Sequence, residues 1–300
     1  MTDGIVLLDK PAGLTSFQCL DRIKRALGTR RVGHAGTLDR FAEGLLIALT
    51  GTMTRLCPFA SEMDKEYVAE VTFGRGTDTL DPEGATTAEG RVPDAGEIAE
   101  ALGRFRGPIL QSPPAYSAVH IDGQRAYQAA RKGQTVVLAA RPVTVHALEL
   151  SGFTPPRAVL RIVCSKGTYV RSLARDIAEV IGTCAYVSRL RRTRIGGFLV
   201  GQAVRPDSFD SNRDLLPPRA FFDAAPGLGT LEVEEGTARK VRHGVPLDDR
   251  DFAMPPGREG PFGVFSRGGH LLAVVERRAG AFRYSAVFSE AADTDPGEPR

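Results

Sequence analysis

Several short stretches of the chain have the hydrophobic patterns of β-strands. Residues 4–8 form a continuous apolar run, which predicts a buried strand. Residues 67–73 alternate between apolar and polar positions, as a strand with one buried face does. Residues 143–150 and 159–164 have strand-like patterns as well. We therefore predict a strand at each of these four places.

Two stretches have the period of amphipathic helices. One begins at Thr15 or Ser16, whose side chain caps the first turn, and ends at Gly28. The other covers residues 169–181 and is closed by Gly182. The residues predicted to face inward from these two helices are Phe17, Leu20, Ile23, Leu27, Leu173, Ile177 and Val180.

Three further helices are predicted with weaker patterns. Asp94 and Glu97 form a capping box for a short helix. Residues 125–132 indicate a small helix, and the apolar run 41–49 indicates one that begins near Arg40. Strands and helices thus alternate without the regular period of a doubly wound fold. The chain is therefore predicted to have a mixed α+β fold.

The composition changes near residues 209–229, where Pro, Asp and Arg are frequent, and this change predicts a linker. Beyond it, residues 262–265, 271–275 and 282–288 form short β-like pieces separated by glycines. We expect a large domain followed by a small β-rich one, with residues from about 291 onward frayed.

Composition and charge add the expectation of a polyanionic partner. With 42% hydrophobic and 25% charged residues among 300, the chain can bury a substantial core. The net charge is only +3, but residues 161–194 carry eight Lys and Arg against Asp176 and Glu179. Residues 22–40 are also rich in basic residues. These clusters indicate either a positive face for a polyanion or a solvated, arginine-rich surface.

Cysteine usage and the N-terminus point to a reducing compartment. The four cysteines lie far apart, without a Cys-x-x-Cys pair or a histidine at metal-ligand spacing. They are typical of small apolar residues in a cytosolic protein. No stretch approaches the roughly 20 apolar residues of a membrane span, and no targeting signal is recognisable. We expect a soluble, cytoplasmic protein.

The first chemical candidate is the loop 33–39, in which two glycines accompany His34 and Asp39. Glycines permit a tight turn and let a ligand approach the backbone closely. Asp39 is either the cap of a helix that starts near Arg40 or a catalytic carboxylate at the rim of an apolar body. The spacing by itself leaves both interpretations open.

The second candidate is segment 164–171, which puts Lys166, Tyr169 and Arg171 where a strand turns into a helix. Such a turn concentrates backbone N–H groups and positive charge. The sequence has no P-loop ending, no Gly-x-Gly-x-x-Gly after a strand, no metal-ligand cluster and no nucleophile elbow. Nucleotide cofactors, metal-assisted hydrolysis and a serine triad are therefore unsupported.

Several ordered segments together resemble the TruB-type family of tRNA pseudouridine-55 synthases. The resemblance spans about residues 4–198, and the ordered set is far more specific than any single motif. The matching segments are residues 10–16, 33–46, 64–67, 74–81, 113–118, 164–171 and 186–194.

The resemblance implies an isomerase with the pseudouridine synthase fold, a mixed and mostly antiparallel sheet flanked by helices. Such an enzyme flips uridine 55 out of the T-arm loop, detaches the uracil from its ribose and rejoins it through carbon. No electrons are transferred and no atoms are added, so neither a cofactor nor a metal is expected.

The resemblance also implies the site residues. Asp39 matches the catalytic carboxylate, Arg171 matches its ion-pair partner, and Tyr67 matches the residue that stacks on the target base. The other implied substrate contacts are His34, which fills the stack that the base leaves, Tyr169 and Leu190. Tyr67 could instead be an ordinary strand aromatic, and His34 a loop histidine bonded to the backbone.

Basic residues in or near the matching segments are candidates for RNA contacts, although each could be an ordinary surface charge and Lys10 could brace the site loop. These candidates are Lys10, Arg55, Arg125, Arg131, Lys132 and Lys166. Two positions depart from the family. Arg40 stands where proline is usual, and His120 stands where lysine is common, which puts one phosphate contact in question.

The resemblance implies a domain plan and a partner. Residues 1–225 form the catalytic domain, with an RNA-gripping insertion at about 116–142. Residues 229–290 resemble a PUA domain that holds the acceptor end of tRNA, and residues 291–300 form a disordered tail. A monomer that needs no guide RNA or membrane is expected. The alternatives are a non-catalytic tRNA-binding or tRNA-folding protein and an N-glycosidase that releases uracil.

Overall fold

The computed structural model describes residues 3–117, 120–121, 124–125 and 138–288. Within these residues, the strands in chain order are β1 (Gly4–Lys10), β2 (Val32–His34), β3 (Glu43–Thr50), β4 (Lys65–Phe73), β5 (Arg75–Thr77), β6 (Thr86–Glu89), β7 (Gly107–Gln111), β8 (His120–Ile121), β9 (Gln124–Arg125), β10 (Arg141–Thr154), β11 (Arg157–Cys164), β12 (Ala185–Ile195), β13 (Phe198–Leu199), β14 (Gly229–Val233), β15 (Gly260–Ser266), β16 (Leu271–Arg278) and β17 (Ala281–Val287). The α-helices are α1 (Ser16–Leu27), α2 (Cys57–Glu62), α3 (Ala95–Leu102), α4 (Val170–Ile181), α5 (Ser211–Asp214), α6 (Pro218–Ala224) and α7 (Glu235–Arg242). Short 3-10 helices cover Gly51–Leu56, Gly103–Phe105, Val200–Gln202 and Asp249–Asp251.

A nine-stranded sheet organises the described part of the chain. Its order is β1-β3-β12-β4-β11-β10-β7, with β2 beside β3 and β13 beside β12. All neighbouring pairs are antiparallel except β3 and β12, which run parallel. The predicted α+β class with a mostly antiparallel sheet is confirmed.

One apolar layer joins the centre of the sheet to α3 and α4. Alternate residues of β4 are buried, and they pack with residues of both helices in a single cluster. Leu173 and Ile177 face this cluster as predicted, whereas Val180 is 44% exposed. At the end of α4, Ile181 packs against the cluster instead. In α1 the prediction for Leu20 and Ile23 is likewise confirmed, but Phe17 is exposed.

The apolar run 41–49 contains β3, so the helix predicted there was wrong. Strands β1 and β3 are covered on both faces. Val6 and Leu46 pack with residues of α1, while Ile47 packs on the opposite face with a cluster that includes Phe265 from the C-terminal part. A strand buried on both faces reads as a continuous apolar run, which periodicity cannot distinguish from a buried helix.

The pairing of β3 with β12 depends on a glycine. Gly44 has φ 105°, and a Cβ there would lie 2.3 Å from the carbonyl oxygen of Arg192. Glycine therefore allows both the backbone conformation and the close approach of the two strands. Strand β12 was not predicted, because its arginines mask the apolar positions and its register with β4 shifts at two places.

The C-terminal β-rich piece is confirmed as a four-stranded sheet of β14-β15-β16-β17. The predicted linker at 209–229 was wrong, since this segment forms α5 and α6. Phe221 and Phe222 of α6 are buried, and the Phe222 ring lies 5.3 Å from the ring of Phe265, centroid to centroid. The C-terminal sheet therefore shares an apolar core with β1 and β3.

Some predictions fall at or beyond the edge of the described residues. Arg125 lies in β9, so the helix predicted from that residue does not begin there. Residues 126–133 of that helix and the tail 291–300 lie outside the described residues. Among the helices that are described, none combines the length and apolar character needed to cross a bilayer.

Candidate active site

The loop that carries Asp39 is fixed on both sides by hydrogen bonds. Before it, β2 pairs with β3, and the Ala35 N–H donates to the Ile47 carbonyl at 3.1 Å. In its centre, the hydroxyl of Ser16 accepts from the Leu38 N–H at 3.1 Å and donates to the Leu38 carbonyl at 3.3 Å. Ser16 is the first residue of α1, so the start of that helix positions the residue next to Asp39.

Arg171 holds the Asp39 carboxylate. It lies in the first turn of α4 and is 4% exposed. Its Nε is 2.9 Å from Asp39 Oδ2, and its Nη2 donates to Oδ1 at 3.1 Å. One hydrogen bond from Nη2 and an ion-pair contact at Nε, which lacks hydrogen-bond geometry, together fix the orientation of the carboxylate as well as its charge. The structure thus brings the two predicted residues together across 132 positions of sequence.

The remaining groups of Arg171 are also engaged. Nη1 donates to Asp81 Oδ2 at 3.2 Å and to the Thr79 carbonyl at 2.8 Å, and Nη2 donates to the Tyr116 carbonyl at 3.0 Å. The guanidinium is therefore held between two carboxylates and two carbonyls, which restricts its movement when a ligand approaches Asp39.

Asp81 is a site residue that sequence reasoning missed. Its side chain is 8% exposed and also accepts from the Thr79 hydroxyl at 2.5 Å and from the Glu83 N–H at 3.0 Å. The signal was present, because Asp81 closes the matching segment 74–81. A role could not be assigned without knowing that its partner follows 90 residues later.

The electrostatics of Asp39 are a balance of opposing effects. Burial raises the pKa of the carboxyl, the Arg171 guanidinium opposes this effect, and the Asp81 carboxylate adds to it. The Asp39 side chain is nevertheless 40% exposed. A reacting group can therefore reach an acid whose partners are already in place.

Tyr67 and Leu190 pack in the apolar cluster that reaches the residue before Asp39. They are 9% and 6% exposed, and both belong to the cluster that contains Leu38. Burial raises the pKa of the Tyr67 hydroxyl, and the neighbouring Arg192 opposes this rise through its charge and a hydrogen bond. Tyr67 therefore keeps its proton near neutral pH and offers an uncharged aromatic ring.

Arg192 is a second residue that sequence reasoning missed. It is 1% exposed, and it donates to the Leu45 carbonyl at 2.7 Å and to the Gly36 carbonyl at 3.0 Å. Arg192 thus connects the loop 33–39, through Gly36, to β3, through Leu45. The run of arginines in 186–194 suggested a surface, so nothing in the pattern marked this arginine as buried.

Tyr169 is positioned by Gln111 at the end of β7. The Tyr169 N–H donates to Gln111 Oε1 at 2.8 Å, and Gln111 Nε2 donates to the Tyr169 carbonyl at 3.1 Å. Gln111 is 2% exposed, so this paired contact is shielded from water. Tyr169 precedes α4 directly and is half-buried, and burial raises the pKa of its hydroxyl.

His34 lies at the end of β2 and carries a neutral ring. Burial, followed by the nearby charge of Arg192, lowers the pKa of its imidazole. Its Nδ1 is buried without a hydrogen-bond partner among the described residues. The backbone contact that would explain it as an ordinary loop histidine is therefore absent from this atom.

The structure corrects the expectation that Lys10 contacts RNA. Lys10 is fully buried, and its ammonium, which has three N–H donors, lies within hydrogen-bond distance of four backbone carbonyls. These acceptors are Ala42 at 2.5 Å, Leu14 at 2.6 Å, Pro11 at 3.1 Å and Arg40 at 3.3 Å. Lys10 thus ties the turn after β1 to the residues that follow Asp39, and it braces the site loop as the alternative interpretation held.

The other basic candidates lie away from the carboxylate or outside the described side chains. Arg55 is exposed and donates to the Val287 carbonyl, and its guanidinium lies 6.0 Å from the Phe288 ring centroid. Lys166 pairs with Glu62 at 2.5 Å. Arg125 is placed only as backbone in β9, and Arg131 and Lys132 fall outside the described residues. Their contacts with RNA stay predictions.

This geometry defines what the site can do chemically. A single accessible carboxylate is oriented by a guanidinium and bordered by a tyrosine ring and an aliphatic side chain. Such a group can attack an electrophilic carbon or stabilise positive charge that develops at a sugar. A flat, uncharged ring system fits the tyrosine ring and the aliphatic side chain, because aromatic faces stack on planar bases.

Comparisons with known proteins match this chain to one family. A sequence profile of the TruB family pseudouridylate synthase N-terminal domain matches residues 24–170. The tRNA pseudouridine synthase B of Thermobifida fusca is 40% identical over 96% of this chain and 99% of its own length. The protein of the same name from Borrelia garinii subsp. bavariensis is 47% identical over 92% of this chain and 95% of its own.

Solved structures share the fold at lower identity. A chain of a Cbf5-Nop10-Gar1 complex superposes with a TM-score of 0.73 at 23% identity, over 95% of this chain and 85% of its own. A chain of an H/ACA RNP bound to a substrate RNA containing 2'-deoxyuridine gives 0.72 at 22% identity, over 96% of this chain and 85% of its own. These structures show a shared fold. The relatives that are 40% and 47% identical over nearly the whole chain show that the chain belongs to the TruB family of pseudouridylate synthases.

Proposed function

We propose that this chain is a tRNA pseudouridine synthase that isomerises uridine 55 in the T-arm loop to pseudouridine. Two kinds of observation support the proposal. Relatives that match nearly the whole chain carry the name tRNA pseudouridine synthase B. The single observation that carries the chemistry is the Asp39 carboxylate held at both oxygens by Arg171, next to Tyr67 and Leu190.

The proposed reaction begins when the target uridine leaves the RNA stack. Flipping costs a few kcal/mol, and stacking of the uracil on the Tyr67 ring recovers about 1–3 kcal/mol of it. Leu190 closes the apolar side of the pocket, and Tyr169 contacts the nucleotide from the end of α4. His34 fills the space that the base leaves.

Asp39 then enables the exchange of the glycosidic bond. As the bond between ribose C1' and uracil N1 breaks, the carboxylate acts as nucleophile or stabilises positive charge on the sugar. The uracil turns and its C5 bonds to C1', which releases any bond to Asp39. The C5 proton is lost to solvent, and N1 takes up a proton in place of its bond to the ribose. The product has the same atoms as the substrate, so this step requires no cofactor. Arg171 keeps Asp39 ionised and oriented throughout.

The remaining parts of the chain are proposed to hold the rest of the tRNA. Residues 1–225 form the catalytic domain, the insertion at about 116–142 grips the RNA loop, and the PUA-like residues 229–290 bind the acceptor end. A monomer without guide RNA suffices for this scheme, because a single chain carries both the catalytic and the binding regions.

Incubation with tRNA labelled at uridine separates the candidate activities. Carbon-linked product together with C5 proton release is expected. Binding without conversion would instead identify a non-catalytic tRNA-binding or folding protein, and free uracil would identify an N-glycosidase. Mapping pseudouridine in tRNA from cells that lack the protein tests the position, since only position 55 should lose the modification.

A further inference from the structure

Phe17 is an exposed aromatic residue that the proposed reaction does not use. Its exposed fraction is 59%, and no other Phe or Tyr of the described residues falls in the exposed class. Burying such a side chain would contribute about 1.5–3 kcal/mol, so leaving it in water has a cost. The amphipathic pattern of α1 does not require an apolar side chain at position 17, because the buried face is formed by Ser16, Cys19, Leu20 and Ile23.

The position of Phe17 ties it to the active site. The neighbouring Ser16 exchanges two hydrogen bonds with Leu38, the residue before Asp39. The Phe17 ring also meets the His34 ring edge to face, with centroids 5.5 Å apart and planes at 75°. The two rings thus stand nearly at right angles beside the loop that carries Asp39, so a flat base can stack on the exposed face of Phe17 but not on both rings at once.

The surroundings of the Phe17 ring suit a polyanion. The first turn of α1 has no acidic residue, and the nearest acid along the helix, Asp21, pairs with Lys24 at 3.0 Å. Arg40, 63% exposed, bonds through Nε to the Gly13 carbonyl at 3.0 Å in the turn before α1. Arg40 also lies 4.0 Å from Glu83, which is a contact too long to neutralise it fully in water.

We propose that the exposed Phe17 ring, held by its edge-to-face contact with His34, is an aromatic platform on which an unpaired base of the substrate RNA stacks, distinct from the target uridine. The inference rests on the proposed function, because the base belongs to the same RNA loop. The platform contributes affinity and not chemistry, since a phenylalanine ring has no group that can act as nucleophile, acid or base. It accepts any base, because every base has a π-face.

Three substitutions at Phe17 test the platform. Phe17→Ala is expected to weaken binding of a T-arm stem-loop about tenfold, which is the lower part of the range for loss of one stacked base. Phe17→Leu should lose a similar amount, because it keeps an apolar volume but has no π-face, whereas Phe17→Tyr should stay within about twofold of wild type. The turnover number at saturating RNA should not change.

Val180→Ala is the matched control. Val180 is 44% exposed near the end of α4, about 14 Å along the helix from Arg171, so its loss should leave RNA affinity unchanged. Wild-type affinity of the leucine variant would reduce Phe17 to an apolar support for His34 and overturn the platform. Unchanged affinity in the alanine variant would do so as well.

A scan of the RNA identifies the stacked base. Each loop nucleotide other than the target is replaced in turn by an abasic one, and the affinity is measured for wild type and Phe17→Ala. At one position both proteins should bind equally, because the stacking contact is already missing. The proposal would be contradicted if, at every position, the loss of affinity from the abasic nucleotide simply added to the loss from Phe17→Ala. Failure of the proposed function would appear differently, as intact RNA binding by the wild type without pseudouridine.

Discussion

At the residue scale, the site is a chain of three charges. Arg171 lies between Asp39 and Asp81, so the geometry of the proposed catalytic carboxylate depends on a second carboxylate that the proposed reaction does not use. Because the side chains of Arg171 and Asp81 are 4% and 8% exposed, this contact is shielded from solvent. The pKa of Asp39 therefore responds to changes at either neighbour.

We predict that Asp81→Asn lowers the turnover number about 10- to 100-fold, with little change in RNA affinity. The loss corresponds to one charge-assisted hydrogen bond on Arg171, about 1.5–3 kcal/mol. Steady-state kinetics with a T-arm stem-loop measure it. Asp78→Asn is the control, since Asp78 is exposed in the same loop.

The same variant should move the pH profile. Activity requires ionised Asp39 and falls as the pH drops through the pKa of that carboxyl, which burial raises. Removing the Asp81 carboxylate removes a like charge, so the pKa of Asp39 decreases and the acid limb moves to lower pH. An acid limb that stays in place, with unchanged turnover, would show that Asp81 does not act on Asp39.

At the element scale, the start of β3 and the turn after β1 are joined through Lys10. Its ammonium shares three N–H donors among four carbonyls, two in the turn after β1 and two between Asp39 and β3, so one buried cation sets the distance between these segments. Burial lowers the pKa of Lys10, and the nearby Asp39 and Glu43 carboxylates partly restore it.

We predict that Lys10→Met lowers the free energy of unfolding by about 1–3 kcal/mol, because buried carbonyls lose their donor. The turnover number should fall as the Asp39 loop relaxes, whereas the dependence of RNA affinity on salt should stay the same. Denaturant unfolding and binding at several salt concentrations measure the two effects. A residue that contacted phosphate would instead reduce the salt slope by about 1. Lys24→Met, at a lysine in the last turn of α1, is the stability control.

The sequence predicted elements whose pattern is set locally. The capping box of Asp94 and Glu97 and the left-handed Gly28 and Gly182 at helix ends are present as expected, because such signals depend on neighbours in sequence. The strand β3 was mistaken for a helix, since burial on both faces removes the alternation.

The resemblance, and not periodicity, supplied Asp39 and Arg171. Asp81 and Arg192 were missed because their partners are distant in sequence.

At the scale of the whole molecule, the C-terminal sheet is not an appendage on a linker. Phe222 contacts the rings of Phe221 at 5.6 Å and Phe265 at 5.3 Å, and the same cluster includes Ile47 of β3. Pro, Asp and Arg in 209–229 suggested solvent, but the two buried phenylalanines outweigh them. Composition averages over a segment, whereas packing depends on the few residues that face inward.

We predict that the described domains unfold in one cooperative transition, as seen by calorimetry. Phe222→Ala should lower the free energy of unfolding by about 3–5 kcal/mol, the usual cost of removing a buried Phe. Phe282 lies in the core of the C-terminal sheet alone, and Phe282→Ala should lower the temperature of the same single transition. Two resolved transitions, with Phe282→Ala shifting only one, would contradict a shared core.

The central claim is that Asp39 performs the isomerisation, and the Asp39→Asn variant tests it most directly. Release of tritium from tRNA labelled at uridine C5 is measured beside the affinity for the same tRNA. The account predicts that release falls below detection while the affinity stays within about threefold of wild type, because the amide keeps the shape of the carboxylate but not its charge. Tritium release at the wild-type rate would remove Asp39 from its role.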